Sequence, residues 1–294
     1  MTEKQKKIAV INDISGYGRC SQAVMLPIIS CLKAQACPMP TAILSNHTGF
    51  PSEYKFDFTE HMEAYAEAWS QLGLSFDGIM TGYMNYDRQI EETVRFIDRF
   101  AGQGTVVFVD PSMADHGCLY RGFTKEYAEL IREKLIRRAT MIKPNLTEAC
   151  ILTGTEYGDI VRTFSDHTMR RLKAALINMV RRLQAMGPKK VIITGIERHE
   201  RFMNVVADGE HIRFLAVRKA GEGRPGTGDI FSAIVCTSVV QGMNIERAVK
   251  KAQDFISKAI RVSEEQKIPQ NEGVAFELIL DKLACTMYDQ VKQK

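Results

Sequence analysis

The sequence predicts an α/β fold in which a mostly parallel sheet is covered by helices on both faces, a three-layer α/β/α arrangement. Two observations carry this. Short β-branched runs alternate with longer amphipathic ones along the 294 residues, which is the βαβα order of a parallel sheet. Several of the short runs are also apolar throughout, as strands buried on both faces must be.

Taken in order, strands are expected at residues 8–11, 41–44, 78–81, 106–109, 141–142 and 191–194. Helices are clearest at 61–72, 88–100, 124–138 and 165–186, and a helical region is expected from Asp229 to the end. Residues 202–207 and 211–217 flank Asp208-Gly209 and read as an antiparallel hairpin. No repeat, low-complexity segment or linker interrupts the chain, so one domain over 1–294 is expected.

Composition narrows the function classes. A hydrophobic fraction of 45% with 25% charged residues is that of a soluble globular protein. Net charge is only +4, and the pairs Arg170-Arg171 and Arg181-Arg182 belong to a solvated helix face, so no nucleic-acid partner is expected. Seven scattered cysteines with no CxxC argue against a disulfide framework or zinc site and for a cytoplasmic location. The first apolar run ends at Asp13, too early for a secretory segment, and the uncharged stretch 34–52 contains Pro38, Pro40 and Pro51. No membrane partner is expected either.

Ligands of parallel sheets bind beyond the carboxyl ends of the strands, so the polar residues found there are the candidates. The densest signal is Arg224-Pro225-Gly226-Thr227-Gly228-Asp229, a loop opening straight into the apolar run 230–235. Amides at a helix start lack internal partners and carry the positive end of the dipole, which suits an anion. A carboxylate there would repel phosphate unless it takes a proton from an attacking hydroxyl, which is the need of a small-alcohol kinase. The alternative is that Asp229 simply caps its helix.

After the first strand come Asn12, Asp13, Ser15 and Gly16, read as a loop at the sheet mouth. After the second come Ser45, Asn46, His47, Thr48 and Gly49, then Phe50-Pro51, a loop that could fold over a ligand. Tyr83 follows the third strand, suited to an aromatic ring or to core packing. Asp110-Pro111 ends the fourth, where a buried carboxylate requires a cation or donor nearby. After the fifth, Asn145 and Glu148 stand three apart, either a capping box or a water-mediated hold on Mg²⁺.

The order of Asp13-Ile14-Ser15-Gly16, Ser45-Asn46-His47-Thr48-Gly49, Thr81-Gly82-Tyr83, Asp110-Pro111, Pro144-Asn145-Leu146-Thr147-Glu148 and Gly226-Thr227-Gly228-Asp229 resembles the ribokinase superfamily, and within it the vitamin B6 kinases. The resemblance implies a ribokinase-like, commonly homodimeric enzyme that uses ATP and Mg²⁺ to phosphorylate the 5′-hydroxymethyl of the pyridine ring. It implies Asp229 as base, the amides of Gly226, Thr227 and Gly228 as anion hole, and Asp110, Asn145 and Glu148 near Mg²⁺. Asp110, Asn145 and Thr194 would contact nucleotide, and Asp13, Ser15, Asn46, His47, Thr48 and Tyr83 the vitamer. A monovalent cation is left open as a further cofactor. The familiar B6 kinases carry Ser-His after the first strand; Asp13-Ile14 here looks more like the hydroxymethylpyrimidine kinases of thiamine synthesis. An Asp at that place would pair with an amine-bearing substrate such as pyridoxamine. The expected activity is therefore a B6 kinase, with hydroxymethylpyrimidine kinase second and a non-catalytic B6- or nucleotide-binding protein third.

Overall fold

The computed structural model describes residues 4–165 and 169–284. In chain order the elements are β1 (Lys7–Tyr17), α1 (Ser21–Cys31), β2 (Gln35–Asn46), β3 (Lys55–Asp57), α2 (Thr59–Gln71), β4 (Gly78–Thr81) and α3 (Asp87–Phe100). Then follow β5 (Val106–Val109), β6 (Ala114–Asp115), β7 (Cys118–Leu119), α4 (Lys125–Leu130), β8 (Met141–Ile142), α5 (Leu146–Thr153) and α6 (Tyr157–Arg162). The chain continues through α7 (Arg170–Gln184), β9 (Lys190–Arg198), β10 (Arg201–Asp208), β11 (His211–Arg218), α8 (Thr227–Val240) and α9 (Ile245–Glu265). The α/β class with mostly parallel strands is the one predicted. Among the described residues no helix is long and apolar enough to cross a membrane.

The residues form two compact units. Among the described residues the first comprises 4–80, Gly102–Thr105 and 219–284, with strand order β4-β1-β2-β3. β1 and β2 are parallel, and β3 adds an antiparallel edge. Ile8, Ala9, Val10 and Ile11 are wholly buried, which is why this strand shows no polar alternation.

β1 corrects the sequence reading. The strand does not end before Asn12 but runs to Tyr17, with a register shift between Asn12 and Ile14. The extra residue of this shift lies on β2, between Pro40 and Ile43, and it changes which residues face one another beyond it. β2 likewise runs past Leu44 to Asn46.

Pro38 and Pro40, opposite Val10 and Asn12, bring no N–H to the β1–β2 ladder. Gln22, buried on α1, adds side-chain bonds to this stretch: its Nε2 donates to the carbonyls of Val10, Asn12 and Met39 at 3.1, 2.8 and 3.0 Å.

The second unit holds Thr81–Ala101 and Val106–Arg218, with order β11-β10-β9-β8-β5. β5, β8 and β9 are mutually parallel neighbours, and β10 and β11 follow antiparallel. The predicted hairpin is thus present as β10–β11, preceded by a β9–β10 hairpin the sequence did not announce. The helix predicted at 124–138 is α4 running into a π-helical turn at Ile131–Leu135 and a 3₁₀ turn at Ile136–Arg138. That predicted at 165–186 is α7, and its residues 166–168 lie outside the described residues.

Candidate active site

In the first unit the Gly-rich loop does what its composition predicts. Gly226 closes the loop at φ +77°, and a Cβ there would stand 1.8 Å from the Arg19 carbonyl oxygen, so only glycine fits. The Arg224 guanidinium donates to the carbonyls of Ile268, Pro269 and Gly273 at 2.9, 3.2 and 3.1 Å, and Thr227 Oγ1 donates to Arg224 O at 2.9 Å. The loop is pinned, and α8 begins at Thr227 with first-turn amides that have no partner within the helix.

Asp229 lies in that first turn, half-buried. Its carboxylate reaches away from α8: Oδ2 accepts from Ser21 N at 2.8 Å and Oδ1 from Asn12 Nδ2 at 3.3 Å. Ser21 stands at φ +56°, an uncommon conformation for a residue with a Cβ. Ser21 is not singled out by the sequence, and Asn12 appears there only as part of the first strand-end segment, without a role. The neighbouring Cys20 thiol is pushed up to about 12 by burial and by the Asp229 charge, so it is no nucleophile.

Asp13 is 4% exposed. Ser15 Oγ donates to its Oδ2 at 3.0 Å, and Asp13 N donates to Asn12 Oδ1 at 2.9 Å. Burial raises its pKa above the usual carboxylate value, against the opposing hydrogen bonds from Ser21 and Ser15. The carboxyl is therefore turned into the protein at the strand bulge.

The 45–50 segment is held closely. Asn46 Nδ2 donates to His47 O and Ser52 O, and its Oδ1 accepts from Ser45 Oγ. His47 Nδ1 accepts from Gly49 N at 3.0 Å, which assigns the proton to Nε2, 2.7 Å from Asn271 O. Both ring nitrogens are thus engaged within the chain, and the ring packs 4.7 Å from Phe50. Thr48 is exposed beside it.

In the second unit Asp110, 6% exposed at the end of β5, pairs with Lys143 Nζ at 2.6 Å. A buried carboxylate here is expected to have a metal, an ammonium group or a hydrogen-bond donor nearby, and the fold supplies the ammonium of Lys143. Asn145 and Glu148 form a complete capping box at the start of α5. Asn145 Oδ1 accepts from Glu148 N at 2.9 Å, and Glu148 Oε2 accepts from Asn145 N at 2.8 Å. Asn145 Nδ2 donates to Ala114 O at 2.6 Å and Glu148 Oε1 accepts from Met113 N at 2.9 Å, so the capping reading is realised in full. Thr194 on β9 bridges to Asn145, its amide donating to Pro144 O at 3.0 Å. Tyr83 Oη donates to Asn85 Oδ1 at 2.7 Å while its ring packs on Phe123 at 5.7 Å.

Burial first, then the Asp110 charge, moves the Glu148 pKa from 4.5 to about 7. Between these values the folded chain keeps a proton that the unfolded chain releases. This contribution to stability is full below about pH 4.5 and is lost as pH rises through about 7. Urea midpoints measured across that window should fall in the wild type and fall less in Glu148→Gln; equal slopes would remove Glu148 as the cause.

Among the described residues no group of three or more His, Cys, Asp or Glu forms a metal cage. Asp110 and Glu148 nevertheless supply hard oxygen donors. Mg²⁺ keeps most of its waters and takes one or two carboxylates plus phosphate oxygens, so the donor set fits a hydrated ion. Chemically, the first unit offers anion-binding amides beside an oriented carboxylate, and the second offers buried carboxylates with a buried ammonium.

Three similarities frame these geometries. Pyridoxine kinase of Bacillus subtilis is 31% identical over 197 residues, 65% of this chain and 66% of that protein. A Bacteroides thetaiotaomicron protein crystallised with pyridoxal superposes with a TM-score of 0.86 at 34% identity, covering 95% of this chain and 96% of its own. An ADP complex of Bacillus subtilis pyridoxal kinase gives a TM-score of 0.69 at 25% identity, covering 88% and 92%. The sequence profile of phosphomethylpyrimidine kinase matches residues 29–275, most of the chain. That match over most of the chain, on a fold shared with these enzymes, places the chain in the phosphomethylpyrimidine kinase family, a family of kinases acting on hydroxyl groups.

Proposed function

We propose that this chain transfers the γ-phosphoryl group of ATP to the 5′-hydroxymethyl of a B6 vitamer, with both units acting as one kinase domain over 1–294. The observation that carries the reading is the Asp229 carboxylate, held by Ser21 N and Asn12 Nδ2 in the first turn behind the Gly226 loop. Asp229 accepts the hydroxyl proton as the oxygen bonds to the γ-phosphorus and the bond to the ADP oxygen breaks. The amides of Gly226, Thr227 and Gly228 stabilise the charge on the moving phosphoryl oxygens. Bound Mg²⁺ would neutralise phosphate charge, held by Asp110 and through water by Glu148, while Asn145 and Thr194 shape the strand end where nucleotide binds. Lys143 pairs with Asp110 at 2.6 Å and holds its carboxylate in place. The His47 ring, with Thr48, Asn46 and Tyr83, contributes surface for the pyridine rather than a free ring nitrogen.

Similarity to the protein crystallised with pyridoxal favours B6 vitamers. The family description and the Asp13-Ile14-Ser15-Gly16 strand end favour a second reading, hydroxymethylpyrimidine. A competition assay decides. Pyridoxal, pyridoxine, pyridoxamine and hydroxymethylpyrimidine are mixed at equal concentration with MgATP, and the phosphorylated products are measured by mass. The B6 products should dominate; dominance of the pyrimidine product would establish the second reading, and no product would leave a binding protein. The homodimer is read in the same preparation by light scattering.

The buried Asp13, turned to Ser15, organises the strand end and reads no substrate amine. Asp13→Ser should therefore lower kcat/KM by the same factor for all three vitamers and lower the Tm. A loss confined to pyridoxamine would restore the charge-pairing expectation.

A further inference from the structure

We infer that Asn12 is a positioning residue that fixes the orientation and ionisation of Asp229, a role that rests on the reading of Asp229 as the base. Asn12 is 1% exposed and is held at both ends of its amide. Asp13 N, an unambiguous donor, gives its hydrogen to Asn12 Oδ1 at 2.9 Å. That bond orients the NH₂ group, which donates to Asp229 Oδ1 at 3.3 Å across 217 residues of sequence and lies 3.5 Å from Met25 Sδ. A flipped amide would set NH₂ against the Asp13 N–H and a carbonyl oxygen against a carboxylate, so the geometry admits one orientation. The main chain is fixed as well, because Gln22 Nε2 donates to Asn12 O at 2.8 Å.

The consequence follows from the two bonds at Asp229. Ser21 N holds one oxygen and Asn12 Nδ2 the other, so the carboxylate cannot rotate freely. A donor on a carboxylate also favours its charged form. Around this group stand the Cys20 thiol, neutral because its pKa is pushed up to about 12, and beyond Ser21 the Asp13 carboxyl. Arg19 pairs with Glu277 at 2.8 Å and Arg224 with main-chain carbonyls. On the β1 side, therefore, the donor that Asn12 supplies to Asp229 is a neutral amide.

The test is the pH profile of kcat/KM for pyridoxal in wild type, Asn12→Ala and Asp229→Asn. In Asn12→Ala the acid limb should move up by about one pH unit. kcat on the plateau should fall about 10-fold as the carboxylate loses its fixed orientation. KM for pyridoxal and for ATP should stay within about twofold. A merely structural Asn12 would lower the Tm without moving the limb, and that outcome overturns the role. Should Asn12→Ala fail to fold, the wild type with ¹⁵N-labelled asparagine serves. The Asn12 side-chain resonance should titrate with the midpoint of the acid limb and stop titrating in Asp229→Asn. A resonance that ignores pH, or titrates alike in both proteins, overturns the role too. An Asp229→Asn enzyme with normal turnover would end the base assignment itself, whereas an inactive one beside an unshifted Asn12→Ala profile ends only the positioning role.

Discussion

Asp229→Asn should lower kcat by roughly 10²–10⁴-fold while vitamer affinity stays near wild type. The substitution keeps the size of the side chain and one oxygen that can still accept from Ser21 N, so the fold should survive. What it removes is the proton acceptor. Its new NH₂ also opposes Asn12 Nδ2, which adds a cost of about 1–3 kcal/mol in stability for a mismatched buried pair. A residue that only tied α8 to α1 would show that cost alone, with turnover unchanged. Single-turnover kinetics separate the two outcomes, because the defect should appear in the chemical step and not in binding.

Lys143→Met should be the most destabilising single change in the second unit. Lys143 and Asp110 are both buried and stand 2.6 Å apart. Removing one member of a buried ion pair costs about 3–5 kcal/mol because the other charge stays in low dielectric. In a chain of this size that is roughly a 10 °C fall in Tm. The effect should spread to Glu148, whose pKa the Lys143 charge lowers and the Asp110 charge raises. The double change Lys143→Met with Asp110→Leu should recover much of the lost stability, since it removes the stranded charge. If the single change melts within about 2 °C of wild type, the pair contributes little and the argument for Asp110 as a poised anion fails.

What the sequence made legible is what is local. The uniformly apolar runs became β4 and β5 because they are buried on both faces, and the Gly226 turn, the α8 start and the 145–148 capping box are each encoded within a few residues. α1 was not legible. Ser21, Gln22, Val24, Met25, Ile28 and Ile29 form a buried stripe, but Ser21 and Gln22 on it are polar while Ala23, Leu26 and Pro27 off it are apolar, so hydropathy does not mark the face, and Pro27 stands inside as an apparent breaker. β2 carries Pro38 and Pro40, which the parallel ladder tolerates because at Val10 and Asn12 it runs through their neighbours Cys37, Met39 and Thr41. In the site, Asp110 was legible as a buried carboxylate needing a cation or donor nearby, but its partner Lys143 was not. The holders of Asp229, Ser21 and Asn12, lie more than 200 residues away in sequence, where no spacing rule reaches. In the sequence His47 reads only as a contact for the vitamer ring; that its nitrogens serve Gly49 and Asn271 is visible only in the folded chain.

The central claim is that this chain phosphorylates the 5′-hydroxymethyl of B6 vitamers with Asp229 as base. It is tested most directly by ³¹P NMR of the wild type with MgATP and pyridoxal, run beside Asp229→Asn under the same conditions. The account predicts that the γ-phosphate signal of ATP declines in step with a growing phosphomonoester that couples to the 5′-methylene protons, and that the variant shows no such growth over the same time. A wild type that leaves ATP intact with every B6 vitamer, or an Asp229→Asn enzyme that forms the ester at the wild-type rate, would contradict it.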